Sequence, residues 1–331
     1  MRRLFPVTDQ TATTGSGGGP LGARGEGGEA AEDREWSLDE LAEAYAYPQP
    51  DLQPHSQQQA DPQRQQQRQE VPQRQADPQR QQQRQADPQQ QPDRQRQPHP
   101  QPDSQARPGG PRPWLRANMV STLDGAAQHD GRSQPISTAA DMRIFGTLRG
   151  LADVVVVGAE TVRIEGYRPA RARAEFAARR AAAGQAPAPA VAVVTAGLDL
   201  DFSLPLFTSP LVPTLILTGA AAPPGRVATA EKAGVRVVIA GDGMGVEPAR
   251  AVQALGELGH TRLLTEGGPR LLGQFVAAGV LDELCLTIAP MLTAGDAQRI
   301  ADGPSVAVPQ RFALASLLEE EGFLFGRYRR P

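Results

Sequence analysis

From Trp114 onward the chain alternates between two hydrophobic periods, one suited to strands and one to helices. Asp153-Val154-Val155-Val156-Val157-Gly158 is an unbroken β-branched run, the pattern of a central parallel strand buried on both faces. Similar runs lie at Ala190 to Thr195, Thr214 to Thr218, Val235 to Ala240, His260 to Thr265 and Glu283 to Ala289. Trp114 to Val120 and Phe323 to Tyr328 alternate apolar with polar positions and read as two more strands. Between the strands the spacing becomes helical. Thr138 to Gly150 puts Ala139, Met142, Phe145 and Leu148 on one face, with Ser137 or Thr138 as N-cap. Pro223 to Ala233, Glu247 to Leu258 and Pro269 to Ala278 follow the same rule. Arg171 to Ala188 predicts a surface helix that runs into a Pro-rich loop. Strands alternating with helices predict an α/β domain of three layers, α/β/α, on a mostly parallel mixed sheet. No clear helix separates the runs at Glu283 and Phe323, which predicts an antiparallel C-terminal edge.

Composition sets the rest of the chain apart from that domain, which spans residues 114–331. Residues 49–113 are almost entirely Gln, Pro, Arg, Asp and Ala, and a decapeptide that starts at Ala60 recurs at Ala76, with a degraded copy from Ala86. Such a segment has too few apolar side chains to offset the entropy of ordering, so it is predicted to be disordered. The Gly-rich tract Gly15 to Gly28 is predicted to be flexible for the same reason. Residues 1–48 read as a flexible segment with one short helix at about 36–47, opened by Ser37-Leu38-Asp39-Glu40 as a capping box. Trp36, Leu41 and Tyr45 would dock that helix on the main domain, which at about 220 residues can bury a core of its own.

Charge and residue usage narrow the function. The formal net charge is −3, and the arginines of the Gln-rich tract are interleaved with Asp and Gln and have no aromatic neighbours. Neither feature suits nucleic-acid binding. The single cysteine, Cys285, excludes an internal disulfide and a multi-cysteine zinc site, and four scattered histidines argue against a histidine metal centre. The N-terminus is too poor in apolar residues for a signal peptide, and no run reaches the length of a membrane span. A cytoplasmic protein without a membrane partner is expected.

Three predicted strands end in polar, glycine-containing turns: Ser121-Thr122-Leu123-Asp124-Gly125, Gly158-Ala159-Glu160-Thr161-Val162-Arg163 and Glu266-Gly267-Gly268. Ligands of open α/β sheets bind at the carboxyl ends of the strands, so the three turns are expected to share one site. The last is the most informative. Glycines let a backbone approach a ligand closely, and the helix that starts at Pro269 aims its free N–H groups and dipole at whatever sits in the turn. A dinucleotide pyrophosphate is the natural guest. Each residue also has a simpler role open to it: Asp124 as the fixer of a turn, Arg149 as a cation at a helix end, Glu266 as a helix cap.

The motifs Asn118-Met119-Val120-Ser121-Thr122-Leu123-Asp124-Gly125, Ser133-Gln134-Pro135-Ile136-Ser137, Leu148-Arg149, Val157-Gly158-Ala159-Glu160-Thr161-Val162 and Glu266-Gly267-Gly268-Pro269 with Leu271 to Gly273 fall in the order and spacing of one family. Residues 114–331 resemble the C-terminal reductase domain of bacterial riboflavin biosynthesis, the RibD C-terminal family, which has a dihydrofolate-reductase-like fold. The resemblance implies NADPH-dependent reduction of 5-amino-6-(5-phosphoribosylamino)uracil to the ribitylamino form. It implies a cofactor site at Ser121, Asp124, Gly158, Thr161, Glu165, Thr195, Gly267, Gly268, Leu271, Leu272 and Gly273, with Thr195 near the adenosine 2′-phosphate. It places Asn118, Ser133, Arg149, Arg168 and Glu266 at the substrate, Arg149 and Arg168 toward its phosphate. It also implies a homodimer; no metal is expected, from the cysteine and histidine counts above. The sequence departs from the family pattern at Pro135, where an aromatic is frequent, and at Glu165, where Asp is usual. The His-x-Glu and Pro-Cys-x-x-Cys signature of the family's zinc deaminase half is missing, so reduction alone is expected. Reduction of another substrate, a pterin or a carbonyl compound, and a non-catalytic nucleotide-binding role on the same fold are the other readings.

Overall fold

The valine run forms the middle of the sheet in a computed structural model, which describes residues 1–5, 35–48 and 112–331. The Gln-rich tract with its decapeptide copies and the Gly-rich tract lie outside the described residues. In chain order the first elements are β1 (Arg2–Phe5), α1 (Leu38–Ala44), β2 (Trp114–Thr122), α2 (Ala139–Leu151), β3 (Val154–Gly158), α3 (Ala159–Ile164), α4 (Ala174–Ala182) and β4 (Ala190–Val194). Then come α5 (Pro205–Thr208), β5 (Leu215–Thr218), α6 (Pro224–Lys232), β6 (Arg236–Ile239), α7 (Pro248–Glu257) and β7 (Arg262–Thr265). The chain ends with α8 (Pro269–Ala277), β8 (Glu283–Ala289), β9 (Ala313–Glu320) and β10 (Phe323–Arg329).

Strand periodicity explains the layers. Val155 and Val157 enter one apolar cluster with Leu41, Ile144, Leu148, Val162 and Phe176 from α1 to α4. Val154 and Val156 point the other way, into a cluster with Leu255 of α7 and Leu271, Leu272 and Phe275 of α8. A strand covered on both faces gains burial from every side chain, about 1.5–3 kcal/mol for a fully buried Val. The sheet order is β1-β9-β10-β8-β2-β7-β3-β4-β5-β6. Strands β8, β2, β7, β3, β4, β5 and β6 run parallel, and β10, β9 and β1 continue antiparallel from β8. The expected three-layer α/β fold with an antiparallel C-terminal edge is therefore present.

Two strands of that edge escape the hydrophobic pattern. β1 is four exposed residues with a register shift against β9, too short to show alternation. β9, Ala-Leu-Ala-Ser-Leu-Leu-Glu-Glu, is built from residues that favour helix, and its pairing on both sides with β1 and β10 overrides that preference. α4 is also shorter than the sequence suggests, because Gly184 takes a left-handed φ of 66° just past its end.

A buried ionic cluster joins residues 35–48 to the sheet. Ser37 and Glu40 close the capping box of α1, and Leu41, Ala42 and Tyr45 are buried. Past the end of α1, Arg116 of β2 donates to the Tyr45 carbonyl at 2.8 Å, while Arg327 of β10 donates to the carbonyls of Ala44 and Ala46. Both guanidinium groups pair with Glu283 of β8, at 2.9 and 2.5 Å. Orphan carbonyls at a helix C-terminus are natural partners for cations. No helix among the described residues is long and apolar enough to cross a membrane.

Candidate functional site

β7 enters the sheet between β2 and β3 although it follows both in sequence. That crossover ends β7 opposite Ala117 of β2 and Val156 of β3, at the carboxyl side of the sheet where open α/β sheets bind ligands, while β2 runs on to Thr122. The second and third polar turns read from the sequence are thereby brought together, and the first, Ser121 to Gly125, lies further along β2 against the Thr293–Ala294 loop. Gly158 donates its backbone N–H to the Gly267 carbonyl at 3.2 Å, which ties the second turn to the third. Gly158 is the N-cap of α3 and Gly268 the N-cap of α8, and neither helix start carries a side-chain cap. Two helix N-termini thus present unsatisfied N–H groups beside each other. Gly267 takes φ of 117°, and a Cβ on Gly268 would stand 3.0 Å from Thr161 Oγ1. The turn is tight because glycine allows it.

Glu266, the first residue past β7, is held by two partners. Arg149 Nε donates to its Oε1 at 2.6 Å and Nη2 to its Oε2 at 2.5 Å. The Tyr167 hydroxyl donates to Oε2 at 2.5 Å and accepts from Arg149 Nη2 at 2.6 Å. The Arg149 guanidinium also packs on the rings of Phe145 and Tyr167, 4.4 and 5.2 Å from their centroids. The Glu266 side chain is 4% exposed and that of Arg149 26%. Burial opposes the charge of Arg149, but the Glu266 carboxylate outweighs it and keeps the guanidinium firmly protonated. Burial and the same carboxylate push the Tyr167 phenol well above its usual range, with Arg149 opposing, so it stays a hydroxyl donor.

Two clefts meet at this group. One, about 530 Å³, holds Arg149, Tyr167 and Glu266 together with Arg168, Arg171 and Arg173. The other, about 570 Å³, is lined by Asn118, Met119, Gln134 and Asp141. Ser133, Phe145 and Glu266 line both. Asn118 is 8% exposed and its Oδ1 has no hydrogen-bond partner, an acceptor that suits a ligand in the second cleft.

The remaining expected residues divide. Ser133, Thr161, Glu165 and Arg168 line the first cleft. Asp124 accepts from Thr122 Oγ1 and from the amides of Thr293 and Ala294, and the Thr122 hydroxyl and Ala294 amide hold it below the usual carboxylate range. It pins one loop to another. Ser121 donates to the Thr122 carbonyl, and Thr195 Oγ1 accepts from the Leu198 amide; neither lines these clefts. Leu271 and Leu272 bury their side chains in the core, so only their backbone can serve a ligand. Gly273 faces the Asp302 carbonyl, which a Cβ there would meet at 1.8 Å. Tyr167 and Phe145 were not among the expected residues. The signal for Tyr167 was the Glu165-Gly166 pair that ends α3.

This arrangement is a mostly parallel α/β sheet with a tight glycine turn and two uncapped helix starts beside a polar cleft, and the proteins it resembles are oxidoreductases. The chain belongs to the RibD C-terminal domain family, whose model matches residues 113–319. It is 32% identical over 196 residues to the 2,5-diamino-6-ribosylamino-4(3H)-pyrimidinone 5′-phosphate reductase of Methanothermobacter thermautotrophicus, covering 59% of this chain and 86% of that one. It is 27% identical over 191 residues to the riboflavin biosynthesis protein RibD of Mycobacterium tuberculosis, covering 57% of this chain and 46% of that one. Among solved structures, a pyrimidine reductase-like protein of Corynebacterium diphtheriae superposes with a TM-score of 0.59 at 28% identity, covering 66% of this chain and 91% of that one.

Proposed function

We propose that this chain reduces the ribosylamino arm of 5-amino-6-(5-phosphoribosylamino)uracil to the ribitylamino form with NADPH, and carries no deaminase step. The observation that carries the reading is the position of Glu266 at the junction of two clefts, beside the glycine turn that closes β7. The residues present fit a dinucleotide. The uncapped starts of α3 and α8, Thr161 and the turn Gly267-Gly268 form a cradle that side chains at those glycines would fill. NADPH, when bound, supplies the hydride. The protein's own part is to hold the sugar C1 near the turn, keep water out and fix the polar edge of the pyrimidine.

Glu266 and Asn118 are assigned to that polar edge, Glu266 from the junction itself and Asn118 from the second cleft. Ser133 is assigned to the sugar, since it lines both clefts. Arg149 has its fork engaged by Glu266, so the phosphate is assigned to Arg168 with Arg171 and Arg173 on the same wall. None of those three has a carboxylate partner among the described residues, which suits a phosphate guest. The substrate named for the Methanothermobacter relative differs from this one in carrying an amino group in place of the C2 carbonyl.

The deciding experiment gives purified protein NADPH and each of the two pyrimidines. Loss of NADPH absorbance and a product two hydrogens heavier by mass spectrometry are expected with the uracil compound. Turnover of the 2-amino compound alone would move the reading to that substrate. No oxidation with either would remove the reading. Light scattering on the same preparation tests the expected homodimer.

A further inference from the structure

We infer that Tyr167 is a positioning residue, a brace that fixes the Glu266 carboxylate in the orientation the reduction requires. The inference rests on the proposal that Glu266 meets the pyrimidine.

The backbone delivers the phenol by design of the α3 terminus. Glu165 is the C-cap and donates its amide to the Thr161 carbonyl; Gly166 takes φ of 58°; and Tyr167 sends its amide back to the Val162 carbonyl at 3.1 Å. This is a Schellman stop, with glycine at the left-handed position and the next residue folded back over the helix. Glu165-Gly166-Tyr167 therefore ends a helix whose first turn lies at the proposed cofactor cradle, and the same turn throws the Tyr167 ring across to β7. A side chain at position 166 would strain that turn.

Counting lone pairs shows what the phenol does. A carboxylate offers about four acceptor directions. On Glu266, Oε2 takes one bond from Arg149 and one from Tyr167, and Oε1 takes one from Arg149. The direction that remains is on Oε1, enough for a single N–H donor of a ligand. Arg149 alone would not fix it. Its side chain is long, rotatable and one-quarter exposed, and a guanidinium fork can swing together with its carboxylate. Tyr167 is short and rigid, and it bonds both members of the pair, so the three groups lock one another. Burial and the neighbouring carboxylate keep the phenol protonated, as a donor to Glu266 must be.

The test compares Tyr167→Phe, Glu266→Gln and the double variant in the full chain. Phenylalanine keeps the ring on Arg149 and removes only the hydroxyl. Expected for Tyr167→Phe is a fall in kcat/KM of about tenfold or more, carried by kcat more than by KM, with NADPH affinity by fluorescence within about twofold. Because the phenol acts through Glu266, adding Tyr167→Phe to Glu266→Gln should change kcat less than about twofold. A Tyr167→Phe enzyme with unchanged kcat, or a loss that multiplies in full on the Glu266→Gln background, overturns the inference. Glu266→Gln at full activity would instead sink the assignment of Glu266 to the substrate. In that case a crystal structure of Tyr167→Phe still decides the brace: Glu266 left in place on the Arg149 fork overturns it, and a rotated carboxylate sustains it.

Discussion

Glu283→Gln should destabilise the fold by about 3 kcal/mol at neutral pH. Two routes lead to that figure. Glu283 is fully buried, and its carboxylate meets Arg116, Arg327 and Arg329 at 2.9, 2.5 and 3.3 Å, with the Trp114 indole donating at 3.1 Å. Burial works against its ionisation, but Arg116 and Arg327 outweigh it and hold the group down from 4.5 to about 2. A depression of that size is worth about 3 kcal/mol of linkage at 1.36 kcal/mol per unit. Independently, removing one partner of a buried pair costs about 3–5 kcal/mol, because the opposite charge stays buried without compensation. The sign follows from the direction. A carboxylate depressed in the folded state stabilises it above the unfolded value, and that stability is lost as pH falls from about 4.5 toward about 2. The assay is urea unfolding of both proteins between pH 7 and pH 3, followed by tryptophan fluorescence. Trp114 touches Glu283 and Trp36 packs beside α1, so both indoles report on this region. The gap between the proteins should be widest at pH 7 and narrow in acid. A loss below about 1 kcal/mol, or a gap independent of pH, would refute the claim that this ion cluster anchors α1 to the sheet.

Three other outcomes are expected. Arg149→Ala leaves the buried Glu266 carboxylate with Tyr167 as its remaining partner, so urea unfolding should show a loss of about 3 kcal/mol while NADPH affinity changes little; unchanged stability would deny that the pair is buried. Gly273→Ala sets a methyl against the Asp302 carbonyl and should cost about 1–3 kcal/mol by thermal melting, with a smaller effect on NADPH binding than Gly268→Ala, whose Cβ crowds Thr161; the reverse order would return Gly273 to the cofactor. Fluorescence titration should give tighter binding of NADPH than of NADH, and equal affinities would remove Thr195 from the adenosine 2′-phosphate.

The parts of the fold that were legible in the sequence are those whose burial repeats at the period of the element. Val154 to Val157 show as a strand because both faces are covered, and α2, α7 and α8 show because one stripe of each faces the sheet. β9 was not legible, since Ala, Leu and Glu say helix and only the neighbouring β1 and β10 make them a strand. The site divides in the same manner. Glycines and polar residues at strand ends mark the three turns, and the strand order then sets the second and third side by side, whereas the five residues by which β2 outruns β7 carry the first away from them.

Which side chains meet across the turns is another matter, because it depends on where a helix sits over the sheet. Arg149 and Glu266 are 117 positions apart and Tyr167 and Glu266 are 99 apart, so no local spacing announces either contact. Reading each residue singly gives Arg149 to a phosphate and Glu266 to a ring. The pairing changes the electrostatics of both: the fork is neutral as a unit, and the positive charge of the cleft falls instead on Arg168, Arg171, Arg173 and Arg180, set against Glu165. Gly273 teaches the same lesson from the backbone. Its place five residues after Gly268 suggests a cofactor role, yet the atom that approaches it is the Asp302 carbonyl, and a glycine that lets protein backbone come close cannot be told by sequence from one that lets a ligand come close.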